Sequence, residues 1–262
     1  IRAGAKTRDR SEADMAETGT DDLMAGIVSG DTSVFKIKSQ TTQKDKRTLL
    51  AVQNMIRAVA GDYTYIEIGS HLGGSLVPHL ADPACSHIAS IDPRPVVFGD
   101  ERGRPEHYAG NSTERMIACL AEILPVESLT KMRTYDCDAA DLGSYDVARG
   151  FTLGLIDGEH TNAAAFRDFL NLRKYMAADH VLLFHDANLV FDAIANVRAL
   201  LDDERAAVDG YYLPGILFAL VTGHFRGPAA ATLGPIAHDP EAFVARARRN
   251  LHERIAKAAE AA

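Results

Sequence analysis

Two short stretches of this chain set acids beside imidazoles. Leu153-Gly-Leu-Ile-Asp157-Gly-Glu-His160 and Val181-Leu-Leu-Phe-His185-Asp186-Ala-Asn188 each follow an apolar, β-rich run. Hard carboxylate oxygens with spare water positions can hold Mg²⁺ or a similar ion, which would bind a substrate hydroxyl and lower its pKa. A histidine three residues from such a ligand can act as general base near neutral pH. Taken singly, each residue has a plainer reading: Asp157 as a helix N-cap, His185 as a hydrogen-bonded core residue, His160 as an exposed loop residue. All four at two adjacent strand ends favour a functional site.

A third stretch, Tyr63-Thr-Tyr-Ile-Glu67-Ile-Gly69-Ser-His-Leu-Gly73-Gly-Ser75, reads as a buried strand, a glycine turn and a helix start. Glycine there lets the backbone approach a ligand, and amides at a helix start supply donors. His71 stands where the dinucleotide fingerprint needs glycine, so G-x-G-x-x-G is not met. A carboxylate two residues before the first glycine suits a cationic or ammonium-bearing ligand better than a pyrophosphate. An ordinary strand-to-helix turn is the alternative. Asp92, at the tip of the following strand, can bind both hydroxyls of a ribose, or simply cap a loop.

These residues need a scaffold that brings strand ends to one edge. Apolar β-rich runs at Tyr63–Ile68, His87–Ile91, Met132–Tyr135, Phe151–Ile156 and His180–Phe184 alternate with helical patterns. The helical patterns lie near Gly74–Leu80, Ser112–Leu124, Asp141–Ala148, Thr161–Met176 and Val190–Ala206. This alternation is the signature of βαβ units, hence an α/β fold, doubly wound, with a mostly parallel sheet covered on both faces. The segment Gly210–Thr222, with Pro214-Gly215 at its centre, predicts a closing antiparallel hairpin. A helix over Gln43–Ala60 precedes the first strand, and Asp239-Pro240-Glu241 opens a last helix. Arg8–Asp22 reads as a solvated segment, and Pro93–Tyr108 as a solvated loop whose Arg94, Arg102, Arg104 and His107 could meet an anion.

Composition narrows the function. The net charge of −8 disfavours a general nucleic-acid binder. The longest apolar run, Ile216–Val221, is too short for a membrane helix. Cys85, Cys119 and Cys137 form no CxxC pair, which points to a reducing, cytoplasmic setting. The chain begins at Ile1 rather than Met, which leaves room for a longer natural protein.

Glu67-x-Gly69-x-x-x-Gly73 followed by Asp92 resembles the nucleoside-binding half of class I S-adenosylmethionine-dependent methyltransferases. The resemblance implies a seven-stranded Rossmann-like sheet with S-adenosylmethionine as cofactor. Gly69 and Ser70 would lie against the methionine moiety, with Glu67, Gly73 and Ser75 completing the loop. Asp92 would take the ribose hydroxyls, and Asp138 and Ala139 would lie near the adenine.

The string Ile156-Asp157-Gly-x-His160 with the later His185-Asp186 resembles one branch of that superfamily. It contains O-methyltransferases of sugar and natural-product hydroxyls and cephalosporin hydroxylase-like relatives. Carried over, Asp157 and Asp186 would be metal ligands and His160 the catalytic base. His185 stands where metal-dependent members carry a carboxylate. It is then a third ligand that suits Mn²⁺, Fe²⁺ or Zn²⁺ better than Mg²⁺, or a second acid/base group at a metal-free site.

The expectation is therefore an O-methyltransferase acting on a small hydroxylated molecule, with Mg²⁺ or Mn²⁺ as an optional cofactor and a homo-oligomer as a plausible assembly. An iron-dependent hydroxylase using His160, His185 and Asp186 is the runner-up, and a catalytically silent nucleoside-binding module the third reading. Residues 1–62 would form an N-terminal cap, 63–222 the catalytic core and 223–262 a helical extension.

Overall fold

The computed structural model describes residues 10–94, 97–102, 106–107 and 110–260. Arg104 lies outside them, as does the side chain of His107. Two helices, α1 (Arg10–Ser29) and α2 (Gln43–Ala60), lead into strand β1 (Tyr63–Ile68), the short helix α3 (Val77–Ala81) and strand β2 (Cys85–Ile91). A two-stranded ribbon, β3 (Val97–Phe98) with β4 (Glu106–His107), then interrupts the alternation. Helices α4 (Thr113–Ala121) and α5 (Val126–Leu129) precede β5 (Met132–Tyr135). Next come β6 (Phe151–Ile156), α6 (Asn162–Leu172), β7 (Met176–Phe184) and α7 (Phe191–Asp203). The hairpin β8 (Val208–Leu213) and β9 (Leu217–Thr222) and the helices α8 (Arg226–Thr232) and α9 (Pro240–Glu260) complete the chain.

The sheet has seven strands in the order β5-β2-β1-β6-β7-β9-β8. The five strands from β5 to β7 run parallel, and β9 is antiparallel to both β7 and β8. The strand order reverses between β1 and β6, which opens a crevice at the carboxyl ends of those strands. Side chains alternate across β1. Tyr63 and Tyr65 enter the core shared with α2, α3 and α4, through Leu50, Ile56, Leu80 and Leu120. Ile66 and Ile68 enter the opposite core with Phe169 of α6, Ile194 of α7 and Phe243 of α9. Both faces are thus covered, as a parallel sheet requires.

The elements differ from expectation in instructive places. The acidic N-terminal segment is part of helix α1, whose Leu23 and Ile27, one turn apart, are buried. A single apolar stripe late in the helix is enough to dock it. The helix expected over Asp141–Ala148 is a 3₁₀ turn, Ala139–Ser144, capped by Asp138. The helix expected over Ser112–Leu124 stops at Ala121, and a short helix that was not expected, α5, follows Pro125. The α6 helix stops at Leu172, and β7 begins at Met176, four residues before the expected His180. The insertion after β2 is not simply a solvated loop. Asp100 is buried and pairs with His160 across an isolated bridge, and the Glu101 amide donates to the His160 carbonyl at 3.2 Å. No described helix is long and apolar enough to cross a membrane.

Candidate active site

The loops after β1, β2, β5, β6 and β7 wall one open cavity, and residues 38–41, just before α2, close its remaining side. The first loop is possible only because residue 69 is glycine. Its φ is +91°, and a Cβ there would lie 1.9 Å from the carbonyl oxygen of Asp157. The two strand ends therefore touch through backbone. Gly73 has φ +84° for a different reason: a Cβ there would press on Leu120 at 3.1 Å, so it serves packing and does not line the cavity.

Ser70 and Ser75 do line the cavity. Ser90 Oγ donates to Ser70 Oγ at 2.7 Å. Ser75 Oγ donates to Glu67 Oε1 at 2.5 Å, and the Tyr65 hydroxyl donates to Glu67 Oε2 at 3.0 Å. Glu67 itself is fully buried and lies beneath the loop, outside the lining. Burial pushes its pKa up to about 8, against the donors Ser75 and Tyr65 and with the help of the Asp157 and Asp92 charges.

Asp92 is pinned where the second loop meets the first. The His71 amide donates to its Oδ2 at 2.8 Å, and Asn111 Nδ2 lies 3.4 Å from both oxygens. His71 adopts a left-handed φ of +45° to aim that amide. Arg94, read from sequence as an anion contact, is instead buried structure. It donates to the His71 carbonyl at 3.0 Å, to Thr113 Oγ1 at 2.7 Å and to Asn111 Oδ1 at 3.1 Å. Further along the wall, Asp138 Oδ1 accepts from the Ala140 amide and Oδ2 from Arg167 at 3.1 Å, with Ala139 buried alongside.

The acid and imidazole residues meet at the ends of β6 and β7. Asp157 Oδ1 and Asp186 Oδ2 each lie 3.0 Å from His185 Nδ1. His160 Nε2 lies 3.3 Å from Asp186 Oδ2 and 3.7 Å from Asp157 Oδ1. Asp186 holds a φ of +50°, so the backbone is bent to turn this carboxylate inward. Burial opposes charge on His160, but Asp157 and Asp186 hold its proton, and its pKa rises. His185 is buried more deeply, yet the same carboxylates hold its pKa well above the usual imidazole range. Burial would raise Asp157, but His185 and His160 beside it keep it well below the ordinary carboxylate range.

Sequence reasoning missed a further partner of His185. Asp45, from the first turn of α2, is fully buried, with Oδ2 3.9 Å from His185 Nε2 and Oδ1 accepting from the Ile216 amide at 2.8 Å. Its only mark in the sequence is the Thr42-x-x-Asp45 capping box, which the structure forms.

Metal capacity follows from these distances. Among the described residues, Asp157, His160 and Asp186 can each offer one ligand atom, with all three atoms within 4.8 Å of one another. Two carboxylate oxygens and one imidazole nitrogen, open to the cavity, fit a divalent ion such as Mn²⁺, Fe²⁺ or Zn²⁺. His185, expected as the third ligand, is not in that group, because its Nδ1 faces the two carboxylates and its Nε2 faces Asp45. The two histidines named for an iron hydroxylase do meet at one carboxylate oxygen, with His185 Nδ1 at 3.0 Å and His160 Nε2 at 3.3 Å from Asp186 Oδ2.

Residues 66–187 match the sequence family described as a methyltransferase domain. That stretch runs from within β1 through β7 and holds every strand end around the cavity. That stretch is similar to a methyltransferase domain, and the sheet that carries it is the seven-stranded, mostly parallel Rossmann-like sheet expected from the sequence. A search of curated proteins gives no match. Among solved structures, the chain is similar to the O-methyltransferase NovP, with a TM-score of 0.49, 14% identity, and 71% of this chain and 84% of that one covered. It is also similar to the O-methyltransferase TomG from Streptomyces achromogenes, involved in tomaymycin synthesis, with a TM-score of 0.48 and 14% identity over 77% of this chain and 90% of that one. A ribosomal protein L11 methylase from Lactobacillus delbrueckii subsp. bulgaricus aligns with a TM-score of 0.44 and 15% identity, over 71% and 81% of the two chains.

Proposed function

We propose that the protein is an S-adenosylmethionine-dependent O-methyltransferase acting on a hydroxyl of a small molecule such as a sugar or natural product. One observation carries the reading: Gly69, Ser70 and Asp92 line the same cavity as Asp157, His160 and Asp186. A nucleoside held by the first set would present its sulfonium methyl group to an acceptor held beside the second. The carboxylates of the second set favour a cationic methyl donor by simple Coulomb attraction.

In this mechanism the acceptor oxygen attacks the methyl carbon in line as the carbon–sulfur bond breaks, and the sulfonium becomes a neutral thioether. Positioning supplies much of the rate. His160 takes the hydroxyl proton, and Asp157 and Asp186 stabilise the imidazolium that results. If a divalent ion binds instead, Asp157, His160 and Asp186 would hold it and it would supply the Lewis acidity that lowers the pKa of the hydroxyl, with His160 then a ligand in place of the base.

His160→Ala tests the reading. Methyl transfer, followed as S-adenosylhomocysteine released with a panel of small hydroxylated acceptors, should fall by roughly 10²–10⁴-fold. Calorimetric affinity for S-adenosylhomocysteine should stay within about threefold of wild type, since Asp92 and the glycine loop are untouched. Normal turnover by the variant would remove His160 as base, and wild-type binding of NAD instead of S-adenosylmethionine would overturn the whole reading.

A further inference from the structure

Helix α6 carries an acid where its apolar stripe should continue. Ala164, Ala165, Phe169 and Leu172 are its buried face, and Asp168 sits among them with its side chain about nineteen-twentieths buried. A carboxyl so placed normally has donors, because leaving it without them costs about 1–3 kcal/mol. Among the described residues Asp168 accepts no hydrogen bond. The nearest cation, Arg167 Nε, is 4.0 Å away, and that guanidinium is turned to Asp138 instead.

The carboxyl faces the cavity, beside Asp138 and Ala139 and across from Gly158. A Cβ on Gly158 would lie 3.1 Å from Asp168 Oδ2 and 3.0 Å from Ile68, so glycine keeps the space in front of the acid open. Burial, with Asp138 and Glu159 adding to it and Arg167 opposing, pushes the Asp168 pKa up to about 7. Near neutrality the group is therefore available as an acid, with one O–H donor and one carbonyl acceptor on the same edge.

We infer that Asp168 reads the amino edge of the purine, accepting from the exocyclic 6-amino group and donating to the neighbouring ring nitrogen. The inference rests on the proposed S-adenosylmethionine reading and deepens it, because it names the residue that recognises the base. The chemistry is a matched pair: a buried carboxyl that accepts no hydrogen bond among the described residues, and a ligand edge that needs one acceptor and one donor. Asparagine offers the same two functions without a titrating proton.

The test is calorimetry with S-adenosylhomocysteine and with its analogue lacking the 6-amino group. Wild type should prefer the parent compound by about tenfold or more. Asp168→Ala should weaken the parent by a similar factor and lose the preference, while Asp168→Asn should bind within about threefold of wild type. Wild-type affinity should fall as pH rises from 6 through 9, and Asp168→Asn should show a flatter profile, with Arg167, Asp138 and Glu159 unchanged in both. Equal wild-type affinity for the two compounds would overturn the inference without needing any variant. So would an Asp168→Ala protein that folds and keeps both affinity and preference. Failure of wild type to bind S-adenosylhomocysteine at all would overturn the cofactor reading, and this inference with it.

Discussion

Glu67 and Asp92 end neighbouring strands, yet they work at different depths. Asp92 lines the cavity, whereas Glu67 shares the face of β1 that carries Tyr63 and Tyr65 and is capped by Ser75. The period of two along a strand makes that difference readable in principle, since residues 63, 65 and 67 must share a side. A carboxyl in that position is more stable protonated than ionised. Its preference for the proton supports the fold fully below pH 4.5, the ordinary value, and this support is lost as pH rises toward about 8. Glu67→Gln should therefore flatten the fall of Tm between pH 5 and 8 relative to wild type. An unchanged slope would mean that Glu67 titrates normally. Asp45 and Asp168 were not legible in the same way. Acids on helices are usually solvated, and only the Thr42 capping pattern and the interrupted α6 stripe mark these two.

At the scale of elements, the alternating pattern located β1, β5 and β6 to the residue; β1 and β6 lie inside the sheet and leave mainly apolar runs, whereas the edge strand β5 exposes Arg133. Helices were less legible wherever length rather than pattern decided them. The residues after β5 carry enough apolar character for a helix, but the Asp138 cap closes only a 3₁₀ turn. For α1 the acidic composition hid a stripe of two residues. Ile27 is wholly buried, and Asn54 of α2 donates to its carbonyl at 2.7 Å. Ile27→Ala should cost about 2–5 kcal/mol, read as a lower urea midpoint with an unchanged m-value. A shift below about 0.5 kcal/mol would mean that α1 adds no core. The insertion after β2 is tied to the wall that carries His160 through both Asp100 and Glu101. Glu101 accepts from the Asn162 amide at 2.5 Å, and Asn162 Oδ1 in turn accepts from the Ala193 amide of α7 at 2.8 Å. The loops carrying His160 and Asp186 are thereby stapled together, an arrangement with no sequence signature because its three partners come from separate elements.

On the scale of the whole molecule, the cavity joins the strand-end loops to a segment that precedes the first strand in the chain. The sheet supplies the strand-end loops, while the segment before α2 closes the side that the sheet leaves open. Asp45 and Thr48 fasten that segment to the hairpin turn, through the Ile216 amide at 2.8 Å and the Pro214 carbonyl at 3.0 Å. Gly215 is required at this contact, since its φ is +86° and a Cβ there would collide with the Asp45 carboxylate. The two hydrogen bonds join residues 171 and 166 positions apart. Contacts of that span close a long loop and form late. During synthesis, residues 38–41 must wait for the last strands to emerge before they can take their place. Regain of S-adenosylhomocysteine binding should accordingly trail the recovery of far-ultraviolet circular dichroism when the unfolded protein is diluted into buffer. Coincident recovery would show that the pocket forms without the hairpin. The order in which this chain is made thus sets the moment at which it can first hold a ligand.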